Sequence, residues 1–408
     1  MKKTLWTFDF SVITIGTIIS AIGGIAMNFA LSIVVFDQTN STFLTAVFSA
    51  VSFIPSLLLP IFVAPYVDAH NRKHMIVRID TVNGVLYVAF ALYLFLNEFN
   101  YLAYVLFSLV VCSTNAVYSL AYSSLYPDLI PKGFAQKGYS VSSMIYPSVT
   151  ALITPVASIL YVRFGVYSIC LIEGILLLIA AMFEHMIRYQ DHHLHVQEKF
   201  SLATYLSDMK EGFQYLKEEK GIQSIYMYMG VTNASAEGIN LVAMALFQTS
   251  SVLNVTMYAL LTTAETLGRI VGSIVHYFIK IPAHNRYNIA LSIYTLYEVF
   301  DVLFLFLAYP LMIINRFICG FMGVNSMNIR EASTQNYIPS RLRARVNGLF
   351  TVIVACFAIL SKMIAGTLGE FLPYPYVSTI FAMFALICVG LIIVRNKKAV
   401  GAIYNQEI

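Results

Sequence analysis

The chain has 408 residues, of which 59% are hydrophobic and only 11% are charged, and its formal net charge is +4 at pH 7. Soluble domains are about half apolar and about a quarter charged, so this composition excludes an ordinary soluble protein and indicates a membrane protein. The basic residues are dispersed rather than gathered into one domain, so no nucleic-acid partner is expected.

Twelve apolar stretches follow one another along the chain, and each is long enough to cross a bilayer core of roughly 30 Å as a helix. Helices are the expected spanning unit because every backbone polar group must be hydrogen-bonded within the lipid. We therefore predict an all-α membrane protein with 12 transmembrane helices. The predicted spans are residues 11–36, 43–67, 75–97, 101–126, 139–162, 165–187, 222–248, 255–279, 287–308, 310–336, 346–369 and 374–394.

Lysine and arginine residues are concentrated in alternate connections between these spans. If the N-terminus is inside, 21 of the 25 basic residues fall on the cytoplasmic side, as the positive-inside rule requires. Both termini are therefore predicted to be cytoplasmic. The first residues, MKKTLW, resemble the basic region of a signal peptide, but the apolar run that follows is too long for one, so we expect an uncleaved first span.

The tetrapeptide Ala-His-Asn-Arg occurs twice, at Ala69–Arg72 between spans 2 and 3 and at Ala283–Arg286 between spans 8 and 9. Matching positions indicate a duplication, and transporter folds are often built from such repeats. The predicted domains are a six-helix half at 1–189, a cytoplasmic linker at 190–220 and a second six-helix half at 221–408. Apolar residues in the linker recur every three or four positions, which predicts an interfacial amphipathic helix that either tethers the halves or binds a partner.

Motifs for metal, disulfide or nucleotide chemistry are weak or missing. The five cysteines lie singly in apolar segments, so we interpret them as packing residues. The run DHHLH at 191–195 has no accompanying ligand set, and a solvated linker is favoured over a metal site. No GxxxxGK[ST] motif and no catalytic set is present, so we expect no ATP-driven transport, no cofactor, no metal and no enzymatic activity.

Ionisable residues inside the spans are candidates for function, because a charge in hydrocarbon costs at least a few kcal/mol. Glu265 lies about 13 Å into span 8 at 1.5 Å per residue, which is near the bilayer centre. Arg269 follows four residues later on the same face, so the pair is either a proton-coupling site or a structural ion pair. Glu237 of span 7 is predicted to bind a proton or a cationic substrate; alternatively, Asn233 and the flexible backbone at Gly238 only hydrogen-bond it. Lys362 of span 11 is either a counter-ion or a snorkelling base.

The twelve spans, the two duplicated halves, the long middle connection and the acid-base motif after span 2 together resemble the major facilitator superfamily. In that family a glycine, three residues, an aspartate and then bases follow span 2. Here APYVDAHNRK supplies Asp68, Arg72 and Lys73, with Ala64 at the glycine position. The segments SFIPSLLLPIFVAPYVDAHNRKHMIV, LYPDLIP and SDMKEGFQYLKEEKGI resemble the macrolide-efflux branch of drug/proton antiporters, and the resemblance covers nearly the whole chain.

This resemblance implies roles for several residues. Asp68 and Arg72, with Lys73 in the same motif and Asp128 at the end of span 4, would latch a cytoplasmic gate; alternatively, the bases only set the topology. Spans 7, 8 and 10 can face the central cavity in this family, which favours as cavity residues Glu237, Glu265, Arg269 and Arg316. Spans 6 and 9 lie mostly outside the cavity, which disfavours Glu173, Glu298 and Asp301. Aromatic segments YSLAYSSLY and YMYMG are candidate cavity walls.

The function that the resemblance implies is secondary active transport, specifically proton-coupled efflux of amphiphilic drugs or related small molecules by alternating access. The expected setting is the bacterial inner membrane, where the protein would be a monomer and its partners would be substrate, protons and the lipid bilayer. The alternatives are a dedicated exporter of one metabolite such as a siderophore or an antibiotic, an importer, or a non-transporting membrane protein such as a receptor.

Overall fold

The computed structural model describes residues 4–131, 134–189, 202–278 and 281–406. This part of the chain is helical throughout and contains no strand, which confirms the predicted all-α class. The α-helices are α1 (Phe8–Thr39), α2 (Thr42–Ala69), α3 (Arg72–Leu96), α4 (Tyr101–Leu129), α5 (Ala135–His185), α6 (Leu202–Glu218), α7 (Lys220–Thr249), α8 (Val255–Phe278), α9 (Arg286–Leu303), α10 (Tyr309–Tyr337), α11 (Ser340–Gly369), α12 (Tyr374–Cys388) and α13 (Lys397–Tyr404).

Eight helical segments of the described chain are long and apolar enough to cross a membrane. They are Phe8–Thr39, Thr42–Leu59, Arg72–Leu96, Tyr101–Leu129, Met144–His185, Ala283–Phe306, Arg345–Gly369 and Tyr374–Val394. The protein is therefore a multi-pass membrane protein. Helices α7, α8 and α10 have sufficient length but more polar residues, so the layout of 12 spans in two six-helix halves remains a prediction.

The helices form two compact units. The first unit contains residues 1–40 and 48–200, and the second contains residues 41–47 and 201–408. The predicted linker lies partly outside the described residues, at 190–201, and this stretch includes the DHHLH run. Its remaining part forms α6, which packs in the second unit, where Arg345 of α11 donates to Glu211. The predicted domain boundaries stay predictions.

Both copies of the repeated tetrapeptide stand at the start of a helix. In the first copy, the side chain of Asn71 caps α3 by accepting a hydrogen bond from the backbone N–H of His74 at 3.0 Å. In the second copy, Ala283–Asn285 forms a 3₁₀ turn that leads into α9, and Arg286 donates to the carbonyl of Gln406 at 3.0 Å. Each copy therefore begins a helix with a basic residue at its first position.

Predicted spans 5 and 6 are joined without a loop. Both lie within α5, where the backbone changes direction at Gly165, whose φ of 75° and ψ of 177° interrupt the helical geometry. Glycine adopts such a conformation readily because it has no Cβ, whereas other residues would be strained there. The predicted outer connection around residues 163–164 is therefore replaced by a kink.

Packing within each unit leaves apolar side chains on the outside. In the first unit α5 packs against α1 and α3, and in the second α10 packs against α8 and α7 against α11. Large apolar side chains such as Phe95 and Leu152 stay 68% and 71% exposed, as expected for surfaces that face lipid tails. All five cysteines are free thiols, and three of them are buried, in agreement with a packing role.

The first residues of α2 are bound to the end of α11 inside the second unit. Glu370, which follows α11, accepts hydrogen bonds from the backbone N–H of Phe43 at 2.9 Å, from the Ser41 hydroxyl at 2.7 Å and from the Thr42 hydroxyl at 3.2 Å. A carboxylate at a helix N-terminus is well placed, because the first N–H groups of the helix have no partner within it.

Candidate functional site

The predicted gate motif lies at the corner between α2 and α3. Asp68 is in the last turn of α2, and its side chain lies outside the described part of the structure. Arg72 begins α3 and pairs with Asp128 of α4, with 2.9 Å between Nη2 and Oδ2, and it also donates to the carbonyl of Ser124 at 2.7 Å. Lys73 donates to the carbonyl of Ile187. The structure thus brings Arg72 and Asp128 together, and their gating role remains a prediction.

Two of the predicted charge sites are ion pairs of the second unit. Glu237 of α7 accepts from Lys362 of α11, with 2.8 Å between Oε2 and Nζ, so Lys362 is the counter-ion of Glu237. Glu265 and Arg269 of α8 pair across one helical turn at 2.6 Å, and the Arg269 side chain is 55% exposed. Glu265 lies beside α10 because Gly320 allows a close approach: a Cβ there would be 2.0 Å from the Glu265 carbonyl oxygen.

Arg316 is one member of a buried ion pair between two helices. Its side chain on α10 is only 6% exposed and forms an ion pair with Asp301 of α9. The guanidinium carbon lies 3.9 Å from the ring centroid of Phe304. The structure thus brings together Arg316, which the sequence favours as a cavity residue, and Asp301, which it disfavours, and the role of Arg316 in a cavity remains a prediction. An arginine inside an apolar bundle requires a carboxylate, and the adjacent helix α9 supplies it.

Further buried acids were disfavoured or overlooked in the sequence. Glu298 of α9 accepts from Thr232 at 2.7 Å and from Tyr228 at 3.3 Å, both on α7. Asp80 of α3 and Glu184 of α5 are also buried, although they lie only a few residues inside the predicted spans and therefore resemble interfacial residues. For Asp80 and Glu298 the available signal was an acid within an apolar run with no base three or four positions away.

A cavity of about 440 Å³ lies in the first unit between α1, α2 and α4. Its lining is uncharged and mostly small, with hydroxyl and amide groups beside a few apolar ones. The lining residues are Asn28, Ser49, Ser52, Phe53, Ser56, Cys112, Asn115, Ala116, Ser119, Leu120 and Ser123. Ser52 and Ser108 are hydrogen-bonded to each other at 2.6 Å, so part of this polar surface is held in place by the neighbouring helix. Both the volume and the mixed lining are typical of a small-molecule site.

The predicted aromatic walls are only partly correct. From YSLAYSSLY the cavity takes Ser119, Leu120 and Ser123, while Tyr118 of the same segment turns to Glu184 at 2.7 Å. In YMYMG, Tyr228 is fully buried in the core of the second unit. The cavity is therefore lined by two serines and a leucine of the first segment. Tyr118 forms a hydrogen bond outside the cavity, and Tyr228 packs in a core. No group of three or more potential metal ligands occurs among the described residues.

Comparison with known proteins places this architecture among membrane transporters. A variant of the nucleoside transporter NupG superposes with a TM-score of 0.72 at 13% identity, covering 94% of this chain and 99% of the other. A POT family transporter in complex with a thioalcohol-conjugated peptide superposes with a TM-score of 0.70 at 9% identity, covering 96% of each chain. The chain therefore shares its fold with these solved transporters, in agreement with the predicted resemblance to the major facilitator superfamily.

Sequence similarity is weaker and points to one kind of transporter. Macrolide efflux protein A from Streptococcus pyogenes is 21% identical over 233 residues, a stretch that spans 55% of this chain and 55% of that protein. The chain thus matches about half the length of this relative. No family model matches the chain. The similarity agrees with the macrolide-efflux resemblance that the sequence segments indicate.

Proposed function

We propose that this protein is a secondary transporter of the major facilitator superfamily that exports amphiphilic small molecules in exchange for protons. Two six-helix halves, at 1–189 and 221–408, would alternate between access to the cytoplasm and access to the outside. The fold and the partial similarity to a macrolide efflux protein support the class of the protein. The proposal places the chain in the bacterial inner membrane as a monomer with cytoplasmic termini.

The uncharged cavity of the first unit is the observation that carries the proposal. Its serine and asparagine groups can hydrogen-bond to the polar part of a solute, and Phe53 and Leu120 offer apolar contact. A solute with both kinds of surface fits such a lining without requiring a fixed charge. Amphiphilic compounds, macrolides among them, have this character.

A transport assay tests the proposal directly. Cells that express the protein should accumulate less radiolabelled erythromycin than cells without it, and dissipation of the proton gradient should remove the difference. Ser119→Leu would fill the cavity without removing a hydrogen bond and should reduce export, whereas Thr81→Leu, at an exposed position of α3 outside the cavity, should not. Export that never depends on the gradient would contradict the antiport.

One observation favours a narrower function as the second candidate. The hydrogen-bonding groups of the cavity outnumber its aromatic ones, and fixed hydrogen-bond geometry selects among solutes more strictly than an apolar wall does. The protein would then export a single hydrogen-bonding metabolite. Competition among chemically unrelated compounds would favour the multidrug function, and inhibition by one compound alone would favour the dedicated exporter.

A further inference from the structure

Three acidic side chains are buried among the helices of the first unit, and we call them the acid row: Asp80 of α3 with Glu173 and Glu184 of α5. Their residues are 3%, 3% and 0% exposed. Within the described part of the chain, no ion pair reaches any of the three. The predicted coupling residues Glu237 and Glu265, in contrast, are both paired with a base.

Hydrogen bonds to the acid row are few and come from neutral groups. Asp80 accepts from the hydroxyl of Ser20 on α1 at 3.3 Å, and Glu184 accepts from the hydroxyl of Tyr118 on α4 at 2.7 Å. The second oxygen of Glu184 and Oε2 of Glu173 have no partner among the described residues. A buried carboxylate oxygen without a hydrogen-bond donor is unfavourable, and binding of a proton to the carboxylate removes its charge.

Helix α1 is shaped to receive these side chains. Gly16, Ser20 and Gly23 follow at spacings of four and three and therefore share one face. A Cβ at Gly23 would lie 1.6 Å from Oε2 of Glu173, and a Cβ at Gly16 would lie 3.4 Å from Cγ of Glu184. The carboxyl group of Glu173 thus occupies the space that a side chain at residue 23 would take, which points it directly at the backbone of α1.

The surroundings of the acid row contain acids and neutral groups, and the two bases near its Glu184 end are engaged elsewhere: Lys73 donates to the carbonyl of Ile187, and Arg188 lies over the ring of Phe8. The titratable neighbours, from α3, α4 and α5, are Tyr87, Tyr118, Tyr122, Tyr146 and Cys170. An ionised carboxylate in such a place would be an uncompensated charge inside an apolar bundle, at a cost of several kcal/mol. Burial therefore favours the protonated form of each carboxyl group, and access of water favours release of the proton.

The three groups follow one another along the bundle. Asp80 lies one helical turn before Gly84, which packs against Gly174 and Leu178 of α5, and it is close enough to both glutamates to act on them electrostatically. Glu173 and Glu184 are eleven residues apart, or about 16 Å along a continuous helix. Glu184 lies one residue from the end of α5, near Arg188, whose backbone N–H is bound by Asp9 at 2.7 Å. This is the end of the unit at which the sequence predicts the cytoplasm.

A hydrogen-bonded pair connects the acid row to the cavity. Asn83 lies three residues after Asp80 on the same face of α3, and it donates to the side chain of Asn115 at 3.0 Å. Asn115 lines the cavity, and Asn83 also accepts from Thr114 at 2.6 Å. A change of charge at Asp80 therefore occurs about one helical turn from Asn83, whose partner Asn115 lines the cavity.

We propose that the acid row is the proton-binding site of the transport cycle, with Glu184 exchanging protons with water and Asp80 acting on the cavity through Asn83 and Asn115. The inference rests on the proposed function and names the site that couples it. In the exchange the carboxylic O–H breaks, the proton goes to water, and the carboxylate remains. The resulting charge makes burial unfavourable, so proton release favours the conformation in which water reaches the acid row, and reprotonation allows the buried state to return.

Infrared spectroscopy of the purified full-length protein tests the site without any transported solute. Protonated carboxyl groups give a C=O stretching band that disappears on ionisation. We expect wild type to show this band in mildly acidic buffer, and Asp80→Asn, Glu173→Gln and Glu184→Gln each to remove part of it. Glu98→Gln, at an exposed acid after α3, should leave the band unchanged. Glu298 of α9, which is also buried with hydroxyl partners only, should contribute the same share of the band in every variant. A band whose intensity is unchanged when all three acid-row substitutions are combined would overturn the proposal.

Transport in proteoliposomes tests the coupling, with radiolabelled erythromycin as the probe. Counterflow exchange needs no proton movement, whereas accumulation driven by a pH gradient does. Glu184→Gln is expected to retain counterflow, which also shows that it is folded, and to lose gradient-driven accumulation, while Glu98→Gln retains both. Gradient-driven accumulation by Glu184→Gln, or driving by a Na⁺ gradient alone, would overturn the acid row as a proton site. A wild type that shows counterflow but no response to pH would instead contradict the proposed antiport.

Discussion

Two regions of the protein, the Asp301–Arg316 pair of the second unit and the acid row of the first, bury acidic side chains in opposite ways. In the second unit, Asp301 lies against Arg316, so a buried negative charge is matched by a buried positive one. In the first unit, the acid row has only hydroxyl groups for partners within the described chain. A matched pair stays ionised and holds its helices together, whereas an unmatched acid must bind a proton. The comparison therefore separates a structural use of buried charge from an exchangeable one.

This difference also explains why charge alone is a poor guide to the coupling site. Glu265 and Arg269 neutralise each other on one helix, and Glu237 is neutralised by Lys362. A proton that binds to either acid must displace an ion pair. In the acid row, protonation requires no such displacement.

The largest effect is expected where the matched pair is broken. Arg316→Met leaves Asp301 buried without its cation, which should lower the free energy of unfolding by about 3–5 kcal/mol. Thermal unfolding of the purified protein in detergent, followed by intrinsic fluorescence, measures the loss. Asp301→Asn added to Arg316→Met should restore much of it, because the uncompensated charge is then removed.

The control for this prediction is the exposed pair on α8. Arg269→Met removes an arginine that is 55% exposed, so the expected loss is no more than about 1 kcal/mol. Equal destabilisation by the two arginine substitutions would show that burial does not distinguish the pairs.

A smaller effect is expected from filling the space that α1 leaves for the acid row. Gly23→Ala introduces a Cβ where Oε2 of Glu173 lies, and overpacking of this kind typically costs about 1–3 kcal/mol. Glu173→Ala in the same chain should relieve the clash, so the double variant should be more stable than the sum of the single changes predicts. Thermal unfolding of the three variants gives this coupling.

Gly348 of α11 provides the matched control. No atom lies within 4 Å of a Cβ at this position, so Gly348→Ala should not destabilise the protein, because alanine is the better helix former. If Gly23→Ala is equally harmless, the carboxyl group of Glu173 does not occupy the position described.

Neutralising a member of the acid row should change stability less than breaking the matched pair. Glu173→Gln replaces a protonated acid by an amide of the same shape, so we expect a change within about 1 kcal/mol near neutral pH. Asp301→Asn, which strands Arg316, should cost several times more. Comparable losses in thermal unfolding from both substitutions would show that the paired and the unpaired buried acids do not differ.

The smallest effect on stability is expected for Glu370, an exposed acid whose ionised form is stabilised by hydrogen bonds. Partial burial favours neutral Glu370, but the hydrogen bonds from Phe43, Ser41 and Thr42 outweigh it and lower the pKa of Glu370 below its usual value. A lowered folded-state pKa stabilises the protein above the unfolded-state pKa, and this stabilisation is lost as the pH falls through the folded-state pKa. Glu370→Gln should therefore lower the unfolding temperature slightly near neutral pH and leave it unchanged in strong acid.

The sequence predicts the helical class well, because apolar runs of spanning length leave few alternatives. It also predicts the Glu265–Arg269 pair, since a spacing of four residues fixes both side chains on one helix face. The pairing of Arg72 with Asp128 required the family resemblance, because 56 residues separate the two.

Contacts between helices are what the sequence could not supply. Nothing in α9 alone indicates that Asp301 meets Arg316, and nothing in α5 indicates that Gly23 of α1 makes room for Glu173. Asp80 and Glu184 looked interfacial because burial near a helix end depends on the neighbouring helices. A charged residue can be located along a span from sequence, but its partner across the bundle cannot.

The kink at Gly165 has a consequence for how the chain can vary. Surface loops ordinarily absorb insertions and deletions, because their backbone is solvated and has slack. Between the two parts of α5, the change of direction occurs at one residue, Gly165, with φ of 75°. No loop residues are present there that could accommodate an insertion. An epitope tag inserted at this point should prevent correct insertion into the membrane, and natural length variation between relatives is expected to fall elsewhere in the chain.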